Sequence, residues 1–309
     1  MESIPDRAAV EAAWERIRGL VHYTPVMSSR AINERVGAEV FFKCEHLQGA
    51  GAFKFRGASH VISLLSPAER VAGVITHSSG NHAQALALAA RRAGLPATII
   101  MPEGSNPMKR AATEGYGARV IECINTQEAR ESTCEAERLR TGMHLVHPYD
   151  DWRIIAGAGT AALELLEEVP DLDQIVTPVG GGGLLAGTAL AAAGKCAVYG
   201  AEPTGADDAH RGFSSGIRVT EQTPDTVSDG LRTCVGVRNF EVIRRHVRGI
   251  GLATDAQTLD AMRWIHTRMK QLVEPSSAVP LACLLNGSVP CEGRIGIILS
   301  GGNVALPEV

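Results

Sequence analysis

The sequence predicts an α/β protein built on parallel sheet covered by helices on both faces. From residue 71 onward, short apolar segments of four to six residues alternate with helical patterns. Such alternation is the signature of strand–helix–strand units. Three of the loops that leave these strands are also small, glycine-rich and able to hydrogen-bond. Open parallel sheets bind their ligands beyond the carboxyl ends of the strands, so those loops are where a site is expected.

The elements follow in order. An opening helix covers residues 6–20, with acids and arginines interleaved, and a short helix lies near 29–36. A strand at 40–43 feeds a loop holding Gly51-Ala52-Phe53-Lys54-Phe55-Arg56-Gly57. Strands are predicted at 71–76, 97–101, 118–123 and 145–147, with helices at 81–93, 107–116 and 127–141 between them. The series continues through a helix at 155–168, a strand at 174–179, a helix at 184–193 and a strand at 198–202. Residues 203–236 read as irregular. Helices near 257–272 and 276–285 and a strand at 294–299 complete the chain.

Bulk properties narrow the function. A chain of 309 residues, 45% hydrophobic and 21% charged, has the composition of a soluble globular protein with room for two lobes. A net charge of −4 offers nothing to attract nucleic acid or an anionic membrane, so neither partner is expected. No signal core and no bilayer-length apolar run is visible. The cysteines (Cys44, Cys123, Cys134, Cys196, Cys234, Cys283 and Cys291) are odd in number and never in C-x-x-C spacing. That pattern argues against disulfides or a zinc site and points to a reducing cytoplasm.

Lys54 stands between two aromatic rings, where apolar neighbours favour the neutral amine. A neutral lysine can attack a carbonyl and hold an aldehyde cofactor as a Schiff base, whereas a snorkelling lysine would serve solubility alone. Gly180-Gly181-Gly182-Gly183 joins a strand to a helix, where backbone N–H groups and the helix dipole can converge on an anion. Without a following Lys-Ser/Thr or the G-x-G-x-x-G spacing, the loop suits one phosphate. Ser78-Ser79-Gly80-Asn81-His82 opens another helix, as a cap or as a seat for a carboxylate. His82 reads as a packed histidine. Ser300-Gly301-Gly302-Asn303 ends the last predicted strand, as a turn or with Ser300 facing a ring nitrogen.

Taken together, F-K-x-R-G, S-S-G-N-H-A-Q, G-G-G-G-L and S-G-G-N, in that order, resemble the fold-type II pyridoxal phosphate enzymes. The Asn81-His82 pair is similar to the serine/threonine dehydratase and serine racemase branch. The resemblance runs from His22-Tyr23-Thr24-Pro25 to the last strand. It implies two open, mostly parallel sheets with helices on both faces: a large domain of residues 1–71 and 148–309, and a smaller mobile domain of residues 72–147. It also implies a homodimer. Carried over by position, Lys54 would hold the cofactor, Gly180, Gly181, Gly182 and Gly183 its phosphate, Ser300 its ring nitrogen and Asn81 its ring hydroxyl. Phe53 would pack beside the ring, and Ser78, Ser79, Asn81 and His82 would cradle the substrate carboxylate. The segment Gly200-Ala201-Glu202-Pro203-Thr204-Gly205-Ala206-Asp207-Asp208 is similar to a divalent-cation loop, with Glu202, the Ala206 carbonyl and Asp208 binding Mg²⁺ or Ca²⁺; read without the resemblance, it is a pair of solvated acids.

The chain departs from this pattern at Ala52, where a serine is usual, and at Ala158 in Gly157-Ala158-Gly159-Thr160, where glutamine is usual. Both bear on substrate preference. The activity implied is elimination of water from a β-hydroxy amino acid such as serine, threonine or 3-hydroxyaspartate, with Lys54 removing the α-proton. Racemisation is the alternative, with Ser79 as acid/base on the opposite face. A non-catalytic binder on the same scaffold is a third reading.

Overall fold

The structure, a computed structural model, describes residues 4–304. Helix α1 (Arg7–Ile17) starts behind Asp6, whose carboxylate accepts from the Ala9 N–H, and β1 (Val26–Ser28), α2 (Arg30–Val36) and β2 (Glu39–Lys43) follow. Two 3₁₀ turns lead into α3 (Lys54–Ser63) and α4 (Pro67–Ala72). A regular series comes next: β3 (Val74–His77), α5 (Asn81–Ala93), β4 (Ala97–Pro102), α6 (Pro107–Gly115), β5 (Arg119–Cys123), α7 (Gln127–Thr141) and β6 (His144–Leu145). The chain continues through α8 (Trp152–Glu168), β7 (Gln174–Pro178), α9 (Gly183–Ala192), β8 (Ala197–Pro203) and α10 (Asp208–Ser215). It closes with α11 (Val237–His246), β9 (Gly249–Ala253), α12 (Asp255–Trp264), α13 (Pro275–Leu285) and β10 (Arg294–Ile298).

Among the described residues the strands form two sheets. The larger has the order β1-β2-β10-β7-β8-β9 and is parallel except for β1, which pairs antiparallel with β2. The smaller, β5-β4-β3-β6, is parallel throughout. Side-chain alternation along β10 shows how the large sheet is sandwiched. Ile295 and Ile297 join the core under α13, whereas Ile298 joins the core under α8 and α9. Each such side chain contributes about 1.5–3 kcal/mol of apolar burial, which keeps both faces covered. A third core joins α3 to α5 beneath the small sheet.

Several expected boundaries shift. The strand expected at 71–76 begins at Val74, because Pro67 and a Ser66–Glu69 capping box start α4 and leave Val71 at 83% exposure. The strand expected at 145–147 pairs only over His144–Leu145. The segment at 203–236 contains α10, and α11 and β9 were not anticipated at all. The helix expected at 257–272 stops at Trp264, and a π turn ends at Lys270 with φ +60.

Behind α3 lies a buried ionic network. Arg56 makes two-pronged bonds to Glu45 (2.7 and 2.7 Å) and to Glu164 (2.6 and 2.9 Å). Lys43 reaches Glu164 at 2.7 Å and Glu168 at 3.2 Å. Arg56, Lys43, Glu45 and Glu164 have no exposed side-chain surface. Burial alone would raise the Glu45 carboxyl, but the adjoining Arg56 guanidinium outweighs it and holds Glu45 below its usual value. The Arg56 forks and Lys43 tie β2, the turn after it, α3 and α8 into one unit.

Candidate active site

Lys54 is placed by backbone. After β2, Ala50 (φ +56) and Gly51 (φ +69) reverse the chain, so that Ala52 bridges to Gly301 and the Phe53 N–H donates to the Ser300 carbonyl at 3.0 Å. Lys54 therefore opens α3 rather than lying in a loop, beside the exit of β10. On its other side α3 lies against α8 so closely that a Cβ on Gly157 would come within 2.7 Å of the Gly57 Cα. The Lys54 Nζ donates to the Pro148 carbonyl at 2.8 Å and lies 5.1 Å from the Phe53 ring centre and 5.9 Å from that of Tyr149. No carboxylate pairs with it among the described residues, and loss of water brings the ammonium down to about 8.

Gly180, Gly181, Gly182 and Gly183 lead from β7 into α9. Gly182 takes φ +90, and α9 begins without a side-chain cap. A Cβ on Gly181 would lie 2.3 Å from the Tyr149 ring. The Asn239 amide and the Gly236 N–H both hold the Gly181 carbonyl, at 2.6 and 3.1 Å. With the loop fixed, the first N–H groups of α9 have no acceptor among the described residues, and one phosphate suits them.

Ser78 and Ser79 follow β3, and α5 likewise starts with no side-chain cap. Ser78 accepts from the Gly80 N–H at 3.3 Å. Thus the serines leave the end of α5 open, as a carboxylate seat requires. The His82 ring is buried, with Nε2 3.3 Å from the Val146 carbonyl; burial, with Lys54 adding to it, keeps it neutral. Its imidazole is thus packed as the sequence suggested. Ser300 is buried, with its hydroxyl 3.0 Å from that of Ser277. A hydroxyl pair is a neutral partner for a ring nitrogen. Phe53, Lys54, Ser78, Ser79, Asn81, His82, Gly180–Gly183 and Ser300 line one cleft of about 1410 Å³. An amine, an anion seat at a second helix start and a neutral hydroxyl around one space fit pyridoxal phosphate.

Glu202, Ala206 and Asp208 of the expected cation loop do not line this cleft, although Gln222 and Val235, which bond Asp208, do. Glu202, at the end of β8, accepts from the Ala209 and His210 N–H groups at 3.0 and 2.9 Å. Asp208 accepts from Gln222 and the Val235 N–H, both at 2.8 Å. Both acids and Ala206 are buried, contrary to a solvated surface pair. Burial, with Asp208 adding to it, pushes Glu202 up to about 9, and burial pushes Asp208 up to about 6. Among the described residues no cluster of three His, Cys, Asp or Glu side chains forms a metal site. Two carboxylates and a main-chain carbonyl would be the donor set, and a hard cation suits it.

Three participants were not visible in the sequence. Pro148 supplies the carbonyl for Lys54, Tyr149 fills the space that keeps residue 181 a glycine, and Glu274 binds Asn81 at 2.7 Å. Their signal is tertiary: each meets a partner far away in the chain.

Comparison with known proteins agrees with this arrangement. The sequence pattern of the pyridoxal-phosphate dependent enzyme family matches residues 17–301. The chain is 42% identical to a β-hydroxyaspartate dehydratase of Paracoccus denitrificans (strain Pd 1222), over 99% of this chain and 98% of that one. It is 43% identical to a serine racemase of Dictyostelium discoideum, over 97% and 95% of the two chains. A solved structure of maize serine racemase superposes with a TM-score of 0.96 at 41% identity, covering 98% of this chain and 95% of that chain. With these matches spanning nearly its whole length, the chain belongs to the family of pyridoxal-phosphate dependent enzymes.

Proposed function

We propose that this protein is a dehydratase (ammonia-lyase) that removes water from a β-hydroxy amino acid, giving a 2-oxo acid and ammonia. The observation that carries the reading is Lys54: an amine with no counter-carboxylate, brought to about 8 by burial, in a cleft with an anion seat. Bound there, pyridoxal phosphate supplies the aldehyde that Lys54 holds and the electron sink for the substrate α-carbon. Gly180–Gly183 and the start of α9 hold its phosphate, Ser300 meets its ring nitrogen and Asn81 its hydroxyl, with Phe53 beside the ring. Ser78, Ser79, Asn81 and the His82 N–H seat the substrate carboxylate at the start of α5. The Lys54 amine would take the α-proton. The β-hydroxyl leaves with a proton as water, and the unsaturated amine then hydrolyses. Ser300, with the Ser277 hydroxyl beside it, would give the ring nitrogen a neutral partner rather than a carboxylate. Residues 72–147 close over the substrate in this reading, and Lys109 of α6 already pairs with Asp229 across the cleft. The free cysteines suit a cytoplasmic setting, and a homodimer is part of this reading by family resemblance alone. The test is the purified protein with serine, threonine and 3-hydroxyaspartate in both configurations, following oxo acid and enantiomer together; no turnover of any of them would leave a binder on this scaffold.

Ser79 favours a second reading, racemisation, because its hydroxyl lines the same cleft as Lys54. Elimination takes a proton from one face, whereas inversion must also return one from the other. Ser79→Ala is expected to abolish interconversion of enantiomers, with elimination of the L-substrate retained within about tenfold. Continued α-proton exchange into both enantiomers in deuterated water would remove Ser79 from the mechanism.

A divalent cation, Mg²⁺ or Ca²⁺, bound by Glu202, Asp208 and the Ala206 carbonyl completes the proposal. Two buried acids pushed upward support it. The sign of its pH dependence follows. In cation-free protein the folded state keeps protons that the unfolded chain has released, so stability falls as pH rises above the ordinary carboxylate range. A bound cation replaces those protons. Melting curves in chelator should therefore drop in Tm between about pH 5 and pH 9, and added Mg²⁺ or Ca²⁺ should flatten the trend. Identical curves with and without cation would make the loop a protonated pair.

A further inference from the structure

Glu274 precedes α13, and its side chain reaches the wall of the cleft at 2% exposure. Backbone bonds fix it on both sides: its N–H donates to the Gly301 carbonyl at 3.1 Å, and its carbonyl accepts from the Ser277 N–H at 3.0 Å. Its Oε1 accepts from the Asn81 Nδ2 at 2.7 Å, whereas its Oε2 makes no hydrogen bond of ordinary geometry among the described residues, although the Asn303 N–H lies close to the carboxyl. Asn81 is oriented in turn by Asn303, whose Nδ2 donates to the Asn81 Oδ1 at 3.0 Å and to the Ala50 carbonyl at 2.8 Å. That backbone carbonyl decides which way the Asn303 amide faces, and so which way Asn81 faces. With its oxygen and one amide hydrogen engaged, Asn81 has one N–H left for a ligand. A bare carboxyl oxygen at a cleft wall is rare enough to call for a functional account.

We propose that Glu274 is a positioning residue that, through Asn81, sets the charge beside the cofactor's ring hydroxyl. The proposal rests on the cofactor reading above. Burial is the main force raising this carboxyl, and Asp229 adds to it; Lys109, the Asn81 bond and the Asn303 N–H oppose them, and the balance stands at about 7, so that the carboxyl carries a proton near neutrality. The proton has two consequences. It removes a negative charge one residue away from an electron-rich hydroxyl, and it gives Oε2 a hydrogen to donate. Ionised Glu274 would repel that hydroxyl, so the cofactor should be held less tightly above neutrality.

The experiment compares the holoenzyme with Glu274→Gln, which keeps the shape and the acceptor for Asn81 but cannot ionise. Cofactor retention after dilution, read as Kd, and the visible absorbance are followed between about pH 6 and pH 8.5. Titrations of Lys54 and of pyridoxal phosphate itself are common to both proteins, so the difference belongs to Glu274. Unmodified protein is expected to lose about tenfold in affinity across that range relative to the variant, with a midpoint near 7. A variant that keeps the same pH step overturns the proposal. Should Glu274→Gln fail to fold, Asp229→Asn removes a charge that raises Glu274, and the midpoint should move to lower pH; an unmoved midpoint also overturns it. Protein that binds no pyridoxal phosphate at any pH would refute the cofactor reading instead.

Discussion

Lys54→Ala should reduce elimination by at least about 10⁴-fold, the upper end of what a positioned general base contributes, because the same amine also anchors the cofactor. The loss should fall on kcat, not on folding. Lys54 donates to a backbone carbonyl and pairs with no carboxylate, so its removal strands no opposite charge. The melting temperature of the cofactor-free variant should stay within a few degrees of the parent. Borohydride treatment of the parent should fix a pyridoxyl group on Lys54, located by mass spectrometry, and the variant should take up none. An adduct on another lysine would overturn the assignment of the site.

Arg56→Ala should do the opposite, sparing chemistry and damaging stability. Removing the guanidinium leaves Glu45 and Glu164 buried without the partner that satisfied both. Breaking a buried ion pair in this way costs about 3–5 kcal/mol, which denaturant titration would read directly. Arg56→Lys should recover little, since a single ammonium cannot reproduce two planar forks. By contrast, Arg56→Met with Glu45→Gln should recover much of the loss, because Glu45 is then uncharged and Glu164 keeps Lys43 as its counter-charge. A single-site cost below about 1 kcal/mol would mean that water reaches these carboxylates.

The legible parts of the molecule were those whose cause is local. Strands such as Ile175 and Val176 in β7, followed at once by glycines, announce a parallel sheet and an anion seat from neighbouring residues alone. Residues 237–253 failed the same test. The α11 segment carries arginines and an asparagine among its apolar positions, and β9 is two-fifths glycine in Gly249-Ile250-Gly251-Leu252-Ala253. It forms a strand because β8 is there to pair with it. Val71 misled for a related reason: its hydrophobicity suggested burial, but the cap at Ser66 had already committed it to a helix end. In the site, Lys54 and the glycines stood out by their spacing. Glu274 did not, because nothing around residue 274 reveals that Asn81 will arrive beside it.

The place of β10 has a consequence for how the molecule comes into being. This strand lies between β2 and β7, pairing Arg294 with Glu39 and Ile295 with Gln174, so the large sheet is two separate pieces until it inserts. A ribosome delivers β10 after every other strand of the described chain. The early strands must therefore wait with a gap at their centre and apolar rows unpaired, and pairing across such a sequence distance is slow. The Ser300 wall of the cleft arrives with the same strand, and so does the bridge that seats Lys54. Nascent chains should thus be unable to retain the cofactor until synthesis has passed this strand, and their exposed, half-built sheet is the species most prone to aggregate.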